Sequence, residues 1–266
     1  MLRPLTTGEV LDRTFHIYRK NFLLFAGIAA VPQALILFVK LGLLGGAQKN
    51  VLAVTVAGLL IILLAIVGSA VATAATTFGV SDIYLGKETS ISSCFKRVRG
   101  TTLAVMGTSL LYGLAIMVGF IFLVVPGIYL LGRYGLSTPA VVLEDRGPIS
   151  GLNRSSELTK GSVLRVLVVY FLSYLLIFVI AALLGGIAAA ALDPVAQQIG
   201  TTTSKALTDL TSAVANVVIT PVLAIALTVL YYDQRVRKEA FDIENMMSLL
   251  GEPAAPDTAE GATAGI

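Results

Sequence analysis

Tryptophan is absent from this chain, and histidine and cysteine occur once each, as His16 and Cys94. A single cysteine excludes an internal disulfide and a cysteine-based metal site. Cys94 is expected to be a small, half-buried apolar residue. A single histidine excludes the histidine pair that phosphodiester hydrolysis often uses; His16 reads as an interface residue. Charge is scarce too. Only 13% of the 266 residues are Asp, Glu, Lys or Arg, against about 25% in a soluble domain. That is too little to solvate a globular surface of this size. There is no Gly-x-Ser-x-Gly elbow, and no glycine-rich phosphate loop followed by Lys-Ser or Lys-Thr. The acidic residues form no recognised ligand spacing. Glu144-Asp145 and Asp242-Ile243-Glu244 read as a solvated face or as partners for nearby Lys and Arg. No catalytic residue, metal site or cofactor is expected, and the chain reads as a non-enzyme.

What the chain does hold is long apolar runs. Hydrophobic residues make up 56% of it, and the mean hydropathy is +0.87. Runs of about 20 apolar residues are long enough to span lipid. They fall at residues 22–44, 51–80, 103–124, 128–143, 163–192 and 213–232. The expected fold is an all-α polytopic membrane bundle of six transmembrane helices. The second run would be roughly 45 Å long as a helix and must tilt or project. Its second half, Gly68 to Gly79, is nearly all small residues and is expected to pack inside the bundle. The fourth run is short, roughly 24 Å, and is interrupted by Arg133 and Pro139. The first 21 residues carry six charges, so they do not read as a signal peptide.

Lys and Arg set the orientation. With the N-terminus inside, the inner segments hold Arg3, Arg13, Arg19, Lys20, Lys87, Lys96, Arg97, Arg99, Arg146, Arg154, Lys160, Arg165, Arg235, Arg237 and Lys238. The outer loops hold only Lys49 and Lys205. Fifteen against two places both termini in the cytoplasm. The same asymmetry accounts for the pI of about 9.0 without nucleic acid as a partner.

The inner segments TGEVLDRTFHIYRKN from Thr7, ISSCFKRVRG from Ile91 and ISGLNRSSELTKGS from Ile149 each precede a pair of spans. The first has apolar residues at near-helical spacing, as in an amphipathic interfacial helix. Leu11 laid over Leu152 aligns Arg13 with Arg154, Thr14 with Ser155 and Arg19 with Lys160. The chain therefore reads as one membrane domain, 1–245. Its three units are 1–84, 85–145 and 146–235, each an interfacial helix followed by a transmembrane hairpin. Triplication and convergent basic flanks would both give this pattern. Residues 246–266 lack large apolar residues until Ile266 once Leu250 is passed, and read as a disordered cytoplasmic tail.

GEVLDRTFHIYRKNF from Gly8, VPGIYLLGRY from Val125, LNRSSELTKG from Leu152 and LYYDQRVRKEAFD from Leu230 resemble, in order and spacing, a bacterial membrane family. That family is named after the membrane domain of glycerophosphoryl diester phosphodiesterases. The resemblance covers residues 5 to 245 and implies a bacterial plasma membrane. In the enzymes behind the family name, a separate barrel carries histidines and carboxylates around a metal. No stretch of this chain corresponds to it, so the resemblance implies no activity here.

Two places stand out for function. Arg133 either snorkels to the outer headgroups or contacts an anionic headgroup or substrate from the outer side. The basic residues Arg13, Arg19, Lys20, Lys96, Arg97, Arg99, Arg154 and Lys160 form a cytoplasmic ring suited to anionic lipid. The expected partners are the lipid bilayer, anionic lipids, and a membrane protein or a second copy of the chain. Three roles follow in order: a scaffold or accessory module, a transporter or lipid-translocating protein using the Arg133 region, and last a lipid phosphodiester enzyme.

Overall fold

A computed structural model of the chain describes residues 4–44, 51–196 and 201–250, with side chains for 4–42, 51–191 and 203–239. All regular structure among them is helical: α1 Thr7–Lys20, α2 Phe22–Leu44, α3 Val51–Tyr84, α4 Ile91–Phe122, α5 Val124–Tyr134, α6 Ser137–Glu144, α7 Pro148–Thr159, α8 Val163–Ala196 and α9 Thr201–Leu250. Five of these, α2, α3, α4, α8 and α9, are long and apolar enough to cross a membrane. Leu23, Val51 and Leu103 are each more than 80% exposed. Apolar surface of that extent suits lipid rather than water, and the fold is compatible with a multi-pass membrane protein.

The helix starts follow local chemistry. Thr6 accepts a hydrogen bond from the Glu9 amide, and the Glu9 carboxylate accepts one from the Thr6 amide, a capping box that opens α1. Ser90 and Ser93 do the same for α4. The breaks are local too. Asn21 closes α1 with its amide and side chain on the Ile17 carbonyl. Gly161, at φ +79°, turns α7 into α8.

Four expectations need correction. The segment at Ile91 is not a separate interfacial helix. It forms the first turns of α4, because no capping side chain or left-handed residue interrupts it: Thr102 bonds back to the Val98 carbonyl within the helix. Only α1 and α7 stand apart. The fourth run is two short helices rather than one. Pro139 has no amide proton and crowds the carbonyl four residues earlier, so the helix breaks at Gly135–Leu136. The turn before it lies at extended Leu123. Pro126 sits in the first turn of α5, where a missing N–H costs little. The sixth run, 213–232, lies inside a 50-residue helix, α9. That helix runs to Leu250, so 246–250 is helical, and the rest of the expected tail, 251–266, lies outside the described residues.

Other expectations hold. The inward packing expected of Gly68 to Gly79 is complete from Ala74, and every residue from there to Asp82 is buried, while Ser69 is exposed. A Cβ on Gly68 would come within 2.8 Å of Pro32, so α2 and α3 approach closely. The buried core gathers Val10, Ile17, Phe25, Phe78, Cys94 and Tyr231 toward the α1 end of the bundle. Most of α3 from Val51 to Ile66, by contrast, is exposed or only half-buried.

Candidate functional site

The α1 end is held by two ionic knots. Asp233 of α9, fully buried, accepts from the Leu5 amide at 2.6 Å and from Arg237 at 3.0 Å, and is ion-paired with Arg165 of α8 at 2.9 Å. Arg165 and Arg237 also donate to the Leu5 carbonyl. The chain just before α1 is thus pinned between α8 and α9. One carboxylate against two guanidiniums suits burial, since an unpaired charge there would be costly.

The second knot centres on Glu144, the last residue of α6. It accepts from the Tyr231 hydroxyl at 2.5 Å, from Arg146 at 2.5 Å and from Arg154 of α7 at 2.8 Å. Arg154 also donates to Glu239, which accepts from Arg235 at 2.6 Å. Burial pushes the Glu144 carboxyl upward. The Tyr231 and Arg154 hydrogen bonds and the Arg154 charge outweigh this and leave it below its ordinary value. Burial lowers the Arg154 guanidinium, but its bonds to Glu144 and Glu239 more than reverse this and leave it raised. Both groups are therefore charged at neutral pH.

These knots divide the eight cytoplasmic-ring candidates. Arg154 is consumed by Glu144 and Glu239. Arg97 is paired with Asp82 at 2.9 Å and lies over the Phe78 ring. Arg13, Arg19, Lys20, Lys96, Arg99 and Lys160 are exposed. No ion pair engages them among the described residues; Arg13 lies over the Tyr84 ring at 4.7 Å, which itself stacks on Tyr232.

A hollow of about 520 Å³ opens beside α1, lined by Glu9, Asp12, Arg13, His16 and Lys20 and closed by Ile83 and Tyr84. Its acids balance its bases, so the hollow does not select an anion by charge alone.

Arg133 does not point away from the α7 end. Its Nε donates to Ser156 of α7 at 3.0 Å, and its Nη1 lies 3.4 Å from the Tyr129 hydroxyl. The Tyr129 and Tyr134 rings flank the guanidinium at 5.9 Å. Arg133 therefore packs against α7, one of the two short helices that carry basic residues. The reason is the break at Gly135. It frees backbone groups that only α7 and α8 satisfy: Ser155 and Thr159 donate to the Arg133 carbonyl at 3.0 and 2.9 Å, and Tyr170 donates to the Gly135 carbonyl at 3.1 Å. Arg133 is drawn against α7 with them. It has no carboxylate partner among the described residues.

Sequence reasoning missed Glu144 and Asp233 as hubs. The four-residue spacings Asp233/Arg237 and Arg235/Glu239 were a readable signal; the partners from α6, α7, α8 and Leu5 were not. Among the described residues no three His, Cys, Asp or Glu side chains gather to hold a metal. No family model, curated protein or solved structure matches the chain.

Proposed function

We propose that this chain is a scaffold or accessory module of a bacterial plasma membrane, without chemistry of its own. In this reading it has both termini in the cytoplasm and binds anionic lipid on that face. The polypeptide crosses six times in three hairpins, α2 with α3, α4 with α5–α6, and α8 with α9. α5 and α6 together supply the short fourth crossing. The proposed kinship with the membrane domain of glycerophosphoryl diester phosphodiesterases rests on the four sequence stretches and brings no activity with it.

One observation carries the reading. Six exposed cations, Arg13, Arg19, Lys20, Lys96, Arg99 and Lys160, have no ion-pair partner among the described residues, while Asp82, Glu144 and Asp233 are each engaged by other bases. Exposed Lys and Arg near an anionic surface contribute about 1 kcal/mol each. Arg133, also without a carboxylate, adds a cation beside two tyrosines and Ser156. The test is lipid retention by the detergent-purified protein, read by native mass spectrometry. Wild type should hold anionic phospholipid over zwitterionic. Changing Arg19, Lys20, Lys96, Arg99 and Lys160 to Gln should cut that preference several-fold. Equal retention by both proteins would remove the basis of the proposal.

A second reading, translocation of a solute or lipid, is favoured by the helix broken at Gly135–Leu136. Discontinuous helices commonly line transport sites.

A further inference from the structure

The break in α5–α6 borders a cavity of about 380 Å³ between α3, α4, α8 and α9, within the size range of small-molecule sites. No Asp, Glu, Lys, Arg or His lines it. Its polar groups are hydroxyls, and they fall into two sets. Thr77, Tyr112 and Tyr170 are engaged: Thr77 donates to the Thr73 carbonyl at 2.9 Å, and the Tyr112 hydroxyl lies 3.2 Å from the Leu131 carbonyl and 3.3 Å from the Tyr170 hydroxyl, which in turn donates to Gly135. Thr73, Ser109, Thr138, Tyr174 and Thr220 line the same space, and their hydroxyls have no hydrogen-bond partner among the described residues. Five unpartnered hydroxyls facing one cavity are costly where the surroundings are lipid rather than water.

The cavity also has a side opening. α4 and α8 make little direct contact, and the Tyr112–Tyr170 pair bridges them. Ser109 on α4 and Tyr174 on α8 are exposed. Around them Leu110, Phe171 and Phe178 are each at least 65% exposed, a surface suited to acyl chains. Ile116, Leu131, Leu223 and Leu227 line the rest of the cavity.

We infer that this cavity is a binding site for an uncharged, hydroxyl-bearing amphiphile, its polar head among the five hydroxyls and its chain leaving between α4 and α8. A charged head is disfavoured because no counter-charge lines the space. A bare hydrocarbon is disfavoured because it would leave the hydroxyls unsatisfied. The site is separate from the cation ring and does not depend on it.

The probes are 1-monooleoylglycerol, methyl oleate and glycerol, added to the purified full-length protein in detergent. Binding is read by native mass spectrometry and by the thermal transition. Monooleoylglycerol should be retained and raise the transition, and methyl oleate should do neither. If glycerol alone gives the same shift, the acyl chain contributes nothing and the assignment to an amphiphile falls; a shift with monooleoylglycerol but not glycerol is the expected result. The combined variant Thr73→Val, Ser109→Ala, Thr138→Val, Thr220→Val removes hydroxyls that bond to nothing, so it should fold at least as stably as wild type. Its affinity should fall at least tenfold. Tyr174→Phe, which removes one oxygen from a half-exposed ring, should weaken binding by about three- to tenfold, the worth of one hydrogen bond. Binding of methyl oleate equal to monooleoylglycerol, no binding of either hydroxylated probe, or unchanged affinity in both variants would overturn the assignment.

Discussion

Glu144 accepts hydrogen bonds from Tyr231, Arg146 and Arg154, and so joins α6, α7 and α9 at one carboxylate. Its side chain is only 11% exposed, so solvent screens these bonds weakly. Glu144→Gln keeps the shape and removes the charge. It should lower stability at neutral pH by about 1.5–3 kcal/mol, the range for hydrogen bonds to a charged group, measured by unfolding in detergent. The pH dependence follows from the sign of the shift. Because folding depresses the Glu144 pKa, its contribution is complete above the ordinary carboxylate value near ~4.3. It is lost as pH falls through the lower folded value. Wild type and Glu144→Gln should therefore differ at pH 7 and converge in acid. A difference independent of pH would show that the charge is not what holds the knot. At this scale the sequence was partly readable: Glu144 was expected to be solvated or to pair with nearby Lys and Arg, and it pairs with Arg146 and Arg154. The identity of the partners was not readable, because Glu144 and Tyr231 lie 87 positions apart.

The turn between α4 and α5 illustrates how small residues act at the scale of an element. A Cβ on Gly119 would lie 2.9 Å from the Cα of Gly127, and backbone cannot yield as a flexible side chain can. Gly119→Ala should therefore force the two helices apart and cost about 1–3 kcal/mol, as overpacking does. Gly113, on the same helix, is in open space: a Cβ there would meet nothing within 4 Å. Gly113→Ala should be neutral or stabilise by up to about 1 kcal/mol through helix propensity. Equal effects of the two substitutions on thermal unfolding would contradict the close approach. The break at Gly135–Leu136 belongs to the same scale. Pro139 announced it in the sequence, but the groups that make it tolerable come from elsewhere. Ser155 bonds the Leu136 amide at 3.1 Å and the Arg133 carbonyl at 3.0 Å, and Tyr170 covers the Gly135 carbonyl.

At the scale of the whole molecule the number of crossings is directly measurable. Five helices have the length and hydropathy to span lipid, and α5–α6 together measure roughly 28 Å at 1.5 Å per residue, near the roughly 30 Å hydrocarbon core. Cysteine labelling of intact cells separates five crossings from six. In a Cys94→Ser background, Glu88→Cys and Asp145→Cys should both resist a membrane-impermeant maleimide until the cells are opened, and Lys205→Cys should react from outside. Reaction of Asp145→Cys from outside would mean that α5–α6 does not cross. A salt bridge supports the placement of Lys205 at the far end: Lys40 of α2 and Asp209 of α9 pair at 2.9 Å, close to where the long helices leave the described core.

By itself the sequence determined that the chain is helical and apolar, where its runs begin, and which end is basic. Those properties are set by composition along the chain, and hydropathy and charge asymmetry act within one helix length. It also determined that α3 packs through its small residues, because an Ala- and Thr-rich face has little other use. Tertiary structure decided which cations are free and which are bound, that Arg133 turns toward α7, and that one set of hydroxyls encloses a cavity. Each of these depends on groups brought together from distant segments, and the four-residue reach of a helix carries no information about them. The scarcity of charge divides in the same way. It was plain in the sequence, while the gathering of the few charges into two knots, with six cations left exposed, required the fold.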